Sequence, residues 1–218
     1  MFCSAAEAAF IRANTAISSP PLVPELRLHL ASEITPLWQA TEATLARDQL
    51  PPPYWAFAWA GGQALARHVL DHPELVRGQR VLDFGAGSGL LALAAAKAGA
   101  AAVTAAEIDP FAAAAIALNA ALNAVELRIE TADVIGGSAK SWQVVLVGDM
   151  CYERPLAERL TTWLRRLAAD GTLVLLGDPG RNYLPKEGLT ALARYTVPTP
   201  LDLEDRATRD GVVWQLSG

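Results

Sequence analysis

The sequence predicts an α/β fold, a mostly parallel sheet with helices on both faces. From Arg80 onward short apolar strands alternate with helical segments, the pattern of parallel strands joined by crossover helices. A glycine-rich loop joins the first of these strands to its helix. The chain closes on two extended segments suited to an antiparallel hairpin at a sheet edge.

The elements follow in order. Roughly the first fifty residues read as helical, over Ala5–Asn14 and then Ala31–Arg47, with a break at Pro20–Pro24. Pro51–Pro53 end that region, because proline donates no amide and restricts the residue before it. Tyr54, Trp55, Phe57 and Trp59 form an aromatic cluster ahead of Gly61-Gly62 and a helix over Gln63–Leu70. Strands are expected at Arg80–Phe84, Val103–Glu107, Leu127–Thr131, Val144–Gly148 and Thr172–Leu176. The intervening helices are Gly89–Ala98, Pro110–Asn123 and Pro155–Ala168, the last with Leu156, Leu160, Leu164 and Leu167 at helical spacing. Pro110 suits a first helical turn, where no amide donor is needed. A further helix is expected near Lys186–Ala193, then strands at Arg194–Val197 and Val212–Leu216. This divides the chain into an N-terminal helical region (residues 1–52), read as a substrate or lid region, and a main domain (53–218).

Composition excludes several classes. With 218 residues, 52% apolar and 19% charged, a sizeable core is expected and disorder is not. The net charge of −5 argues against nucleic acid as a main partner. Cys3 and Cys151 have no Cys or His at ligand spacing, so neither a disulfide framework nor a metal site is expected. No basic n-region precedes an apolar run at the start, and Leu90–Ala106 is broken by Lys97 and Gly99, so no membrane span is expected. The expectation is a cytoplasmic globular protein, read as a monomer.

Chemistry enters at the glycine loop, Val81-Leu82-Asp83-Phe84-Gly85-Ala86-Gly87-Ser88-Gly89. Its spacing is G-x-G-x-G, with Leu90 where a dinucleotide loop carries its third glycine. Asp83 beside the loop would repel a pyrophosphate and hold a cationic or zwitterionic ligand. Glu107 ends the second strand, where an acid binds ribose hydroxyls, and Asp133 follows the third. Three acids at successive strand ends fit S-adenosylmethionine, which offers a ribose, an exocyclic adenine amine and an ammonium.

These motifs resemble the class I, seven-stranded S-adenosylmethionine-dependent methyltransferases. The resemblance implies a Rossmann-like twisted sheet with the C-terminal hairpin antiparallel. It further implies a cofactor site of Trp59, Asp83, Phe84, Gly85, Gly87, Gly89, Glu107, Ile108, Asp133 and Val134.

The segment after the fourth strand, Gly148-Asp149-Met150-Cys151-Tyr152, narrows the reading. A carboxylate orients an amine, and an aromatic face holds a cation. The adjacent sulfonium lowers the amine's proton affinity, so no strong base is required. Asp149 and Tyr152 are therefore the catalytic candidates. Enzymes methylating nucleobase amines resemble D/N-P-P-Y/F here, and both prolines are missing. A cytosine-C5 enzyme would need Cys151 as nucleophile, but no electropositive neighbour favours its thiolate.

The D-x-x-Y signature resembles the family-16 lysine methyltransferases. Pro53-Tyr54-Trp55-Ala56-Phe57-Ala58-Trp59-Ala60-Gly61-Gly62-Gln63-Ala64-Leu65 is similar to the corresponding segment of the electron transfer flavoprotein β-subunit lysine methyltransferases, with Ala60 in place of their proline. Gly177-Asp178-Pro179-Gly180-Arg181 and Val212-Val213-Trp214 extend the similarity. The resemblance implies a bacterial protein-lysine methyltransferase acting on that β-subunit. A small-molecule amine or nicotinamide-like N-methyltransferase is the alternative, and a fold that binds without catalysis is a third. Arg181 is read as contacting an acidic substrate element or stabilising its turn. Trp55, Trp38 and His29 are read chiefly as structural, with a Trp38-bearing helix as a possible lid.

Overall fold

The computed structural model describes residues 5–32, 36–39, 52–138, 141–199 and 207–218. Helix α1 (Ala5–Asn14), strands β1 (Ala16–Ser18) and β2 (Leu28–Leu30) and the short α2 (Pro36–Gln39) come first. After a 3-10 turn at Tyr54–Ala56 follow α3 (Ala60–Asp71), β3 (Arg80–Phe84), α4 (Leu90–Lys97), β4 (Ala102–Ala106) and α5 (Pro110–Leu122). The chain continues with β5 (Arg128–Glu130), β6 (Val144–Gly148), α6 (Arg154–Ala169), β7 (Leu173–Asp178), β8 (Leu189–Pro198) and β9 (Thr208–Leu216).

Strands β3–β9 form one sheet in the order β5-β4-β3-β6-β7-β9-β8. Pairing is parallel from β5 to β7, and β9 runs antiparallel to both β7 and β8. The order reverses between β3 and β6, so the loops leaving their carboxyl ends diverge and open a crevice. Alternation along each central strand builds two core layers. Val81, Val144, Leu146 and Leu175 face the layer holding α3 and α4. Leu82, Phe84, Val145, Val147, Val174 and Leu176 face Leu160, Trp163, Leu164 and Leu167 of α6.

Helix α5 is apolar on more than one side because it is covered twice. Ile116 and Ala120 join the sheet-facing core, while Ala112, Ala114 and Ala115 pack with Ile11 of α1 and with Trp55. Asp109 caps α5 by accepting from the Phe111 amide at 2.8 Å, and Pro110 occupies its first turn as expected.

Two sequence expectations are corrected. The first fifty residues are not helical throughout, since β1 and β2 form an antiparallel hairpin and Ala31 and Ser32 are irregular. The cause lies far along the chain. The Arg27 and His29 amides donate to the side chains of Asn123 and Asn119, and the Ala31 amide donates to the Ala56 carbonyl. The remainder of the Ala31–Arg47 expectation, beyond the short α2, lies outside the described residues, as does Cys3. The second correction is the helix near Lys186–Ala193, where Lys186–Gly188 form a bend and Leu189–Ala193 begin β8. Leu189–Pro198 pairs with β9, with an irregularity between Ala191 and Ala193, and this ladder overrides the helix preference of leucine and alanine.

One close approach seats α3 on the sheet. A Cβ added to Gly177 at the end of β7 would overlap the Gly61 carbonyl, and one added to Gly61 would overlap the Gly177 carbonyl. Gly177→Ala is therefore expected to lower the unfolding free energy by about 1–3 kcal/mol, the usual range for overpacking, read by urea unfolding.

Candidate active site

A cavity of about 420 Å³ opens at the carboxyl ends of β3, β4 and β6, at the reversal of strand order. Ten of the twelve site residues expected from sequence line it: Trp59, Phe84, Gly85, Gly87, Glu107, Ile108, Asp133, Val134, Asp149 and Tyr152. Asp83 and Gly89 do not. Asp83 is buried under the loop, where its Oδ2 accepts from the Ala92 amide in the first turn of α4 at 2.8 Å. Gly89 caps α4 in a left-handed conformation with the Ile116 side chain against it. Both shape the loop from beneath.

The floor is built from backbone. Gly85 and Gly87 take φ of +63° and +52°, a region that favours glycine, and a Cβ on Gly85 would run into the Met150 side chain. Glu107, one residue past β4, accepts from the Gly87 amide at 2.9 Å and the Asp109 amide at 3.1 Å. Burial raises its proton affinity and these amides oppose that. Asp133 is exposed and paired with Arg159. That pairing and the Ile135 amide hold its carboxyl below the usual range.

Aromatic side chains gather at the mouth. Tyr54 lies 5.6 Å from Tyr152 and 6.1 Å from Trp59, centroid to centroid, and the Trp59 indole N–H donates to the Tyr54 carbonyl. Tyr54, Tyr152 and Ile108 are exposed. Trp55 is core, as expected, and also forms part of the wall. His29 is largely buried, with the Thr15 hydroxyl 3.2 Å from its Nδ1. The Trp38 side chain lies outside what the structure describes.

Asp149 sits just past β6 with φ of +57°, which short polar side chains tolerate better than most. Its Oδ2 accepts from the Gly62 amide at 2.7 Å. Its Oδ1 accepts from Arg181 Nε at 3.2 Å and Nη2 at 2.9 Å. Burial pushes its proton affinity up to about 6, with Asp178 adding to the rise and Arg181 opposing it. Asp178 in turn holds the Gly180 and Arg181 amides, each at 2.7 Å. Sequence reading missed the Arg181 pairing, although the Gly177–Arg181 motif pointed to the segment. Cys151 is buried and its thiol is pushed up to about 12, chiefly by desolvation, which disfavours the thiolate that a nucleophile needs.

The donor set suits S-adenosylmethionine. Glu107 faces the cavity at a strand end, the glycine loop leaves room for close backbone approach, and Ile108 and Val134 supply apolar surface. Comparison with known proteins agrees. Residues 64–177 match the family model described as ribosomal protein L11 methyltransferase (PrmA). The electron transfer flavoprotein beta subunit lysine methyltransferase of Xenopus laevis is 40% identical, over 94% of this chain and 85% of that protein. That of Rattus norvegicus is 38% identical, over 94% and 82%. The chain belongs to this methyltransferase family. It is an S-adenosylmethionine-dependent enzyme with the class I fold expected from sequence.

Solved structures confirm the fold alone. The ribosomal protein L11 methylase of Lactobacillus delbrueckii subsp. bulgaricus has a TM-score of 0.51 at 21% identity, over 74% of this chain and 81% of that one. Magnesium protoporphyrin IX methyltransferase of Synechocystis, with bound SAH, has 0.52 at 17%, over 72% and 81%. Enzymes named for a ribosomal protein and for a porphyrin share this sheet, so the sheet does not choose the substrate. Among the described residues no helix is long and apolar enough to cross a membrane.

Asp83 provides a test on the cofactor-free protein. Desolvation lifts its carboxyl to about 7, with Glu107 adding to the rise, well above its unfolded value. The native state then binds the extra proton, so this group's contribution declines as pH rises through about 4 to 7. Asp83→Asn keeps an acceptor for the Ala92 amide. It is expected to unfold at higher urea than the wild type near pH 8, with the gain vanishing near about pH 4.

Proposed function

We propose that this methyltransferase methylates lysine in the electron transfer flavoprotein β-subunit, working as a monomer in the bacterial cytoplasm. The observation that carries the reading is Asp149 and Tyr152 on one cavity wall with Tyr54 and Trp59 at an open mouth. Near full-length similarity to proteins of that name supports the substrate.

In this reading Gly85 and Gly87 accommodate the methionyl end of the cofactor, above Asp83 and Gly89. Glu107, whose Oε2 accepts from the Gly87 amide, would accept from the ribose hydroxyls with its remaining lone pairs. Phe84, Ile108 and Val134 line the same cavity and would offer apolar surface to the adenine, with Asp133 as a polar neighbour and Trp59 towards the substrate. S-adenosylmethionine supplies an electrophilic methyl group on a sulfonium. Asp149 accepts a hydrogen bond from the lysine nitrogen and aims its lone pair, while Tyr152 and Tyr54 wall the side chain. The N-terminal region (residues 1–52) serves substrate choice, and residues 53–218 serve the cofactor and catalysis. Within the described residues the cavity lining begins at Tyr54.

Purified enzyme with isotope-labelled cofactor and intact electron transfer flavoprotein is expected to label the β-subunit on lysine, read by mass spectrometry. Cofactor binding with no protein labelled across a lysate would overturn the protein-substrate reading, and turnover of free amines such as nicotinamide would replace it. Asp149→Asn keeps an acceptor for Gly62 and is expected to lose about a hundredfold or more in kcat while cofactor affinity by calorimetry stays near wild type. Glu107→Ala is expected to do the reverse, weakening cofactor binding by about 1.5–3 kcal/mol.

A further inference from the structure

Arg181 has no part in the scheme above, yet it is paired with the carboxylate on which the scheme rests. Its Nε and Nη2 both reach Asp149 Oδ1, at 3.2 and 2.9 Å. Its guanidinium carbon lies 5.4 Å from the Trp59 ring centroid. The placement is built from beneath, because Asp178 Oδ1 holds the Gly180 and Arg181 amides and so fixes the turn that aims the side chain. Asp149 itself is only 7% exposed, so little water screens it.

An isolated, desolvated carboxylate beside the target nitrogen would hold lysine as its ammonium, which has no lone pair to attack with. A carboxylate already paired with a guanidinium presents the same acceptor with almost no net charge. We propose, building on the lysine-methyltransferase reading above, that Arg181 is a positioning residue whose contact with Asp149 Oδ1 neutralises that carboxylate, so that the site receives the substrate amine in its neutral, nucleophilic form.

The step balances as an in-line displacement. The amine lone pair forms the new N–C bond while the S–C bond breaks with its electron pair passing to sulfur. The positive charge moves from sulfur to nitrogen, and the methylated ammonium loses its proton to water at the open mouth. The titratable groups that feel the Arg181 charge come from two segments: Asp149, Cys151 and Tyr152 after β6, and Asp178 ending β7. Among these Asp149 is the one in direct contact with its guanidinium.

Two measurements test this. In wild-type, Arg181→Gln and Arg181→Lys protein without cofactor or substrate, carbon-13 carboxyl NMR follows the Asp149 titration, its signal assigned with Asp149→Asn. The Gln variant is expected to titrate at least about one pH unit above the wild type, and the Lys variant close to it. The second measurement is the pH profile of kcat on the flavoprotein. Arg181→Gln is expected to lose about tenfold at neutral pH and to regain it about one to two pH units higher, because the Asp149–amine pair keeps one more proton. KM should stay level or fall, and Arg181→Lys should restore the wild-type profile. An unchanged Asp149 titration overturns the proposal, as does a loss uniform across pH or a kcat that rises. Failure of the wild-type enzyme to label the flavoprotein overturns the substrate reading instead, and the NMR titration still decides the role of Arg181.

Discussion

The mouth of the active site depends on one buried carboxylate that is never left alone. Asp149 takes the Gly62 amide at the start of α3 on one oxygen and the Arg181 guanidinium on the other. It does so from a left-handed backbone conformation that costs about 1–2 kcal/mol in an ordinary residue. The same acid therefore ties together three segments, the turn after β6, the first turn of α3 and the turn after β7. Removing its charge changes the chemistry, while removing the whole side chain would also leave an amide and a guanidinium without their partner.

That arrangement requires α3 to lie almost on the sheet. The Gly61–Gly177 contact permits it, since two Cβ-free residues let backbone meet backbone where a methyl group would intrude. The approach brings Gly62 within hydrogen-bond distance of Asp149 and sets Trp59, the cap of α3, under Arg181. Packing and site geometry are in this respect one constraint. The N-terminal hairpin is joined to the same machinery by Asn119, whose side chain accepts from the His29 amide and donates to the Ser88 carbonyl in the glycine loop.

Much of this was legible in the residues. Strand–helix alternation located the central parallel strands to within a residue or two, because each buries both faces and must be apolar throughout. The glycine loop and Glu107 were readable because a tight turn and a strand-end acid are local features. The edges were harder. β8 looks helical in isolation because leucine and alanine favour helices, and only its partner β9 makes it a strand. The β1–β2 hairpin is held by amide partners about ninety residues away, at Asn119 and Asn123, so no local pattern announces it.

By itself the sequence determined the class of fold, the cofactor loop and the cluster Asp149–Tyr152, since these rest on spacing within short segments. Tertiary structure alone decided how the acids divide their work. Asp83 lies beneath the loop because α4 draws its carboxylate onto the Ala92 amide, Asp133 turns outward to Arg159, and Glu107 faces the cavity. It likewise decided that Asp149 is paired, because Arg181 is thirty-two residues away and reaches it only when β6 and β7 lie side by side. Charge in a protein is set by which groups share a desolvated space, and sequence distance carries no record of that.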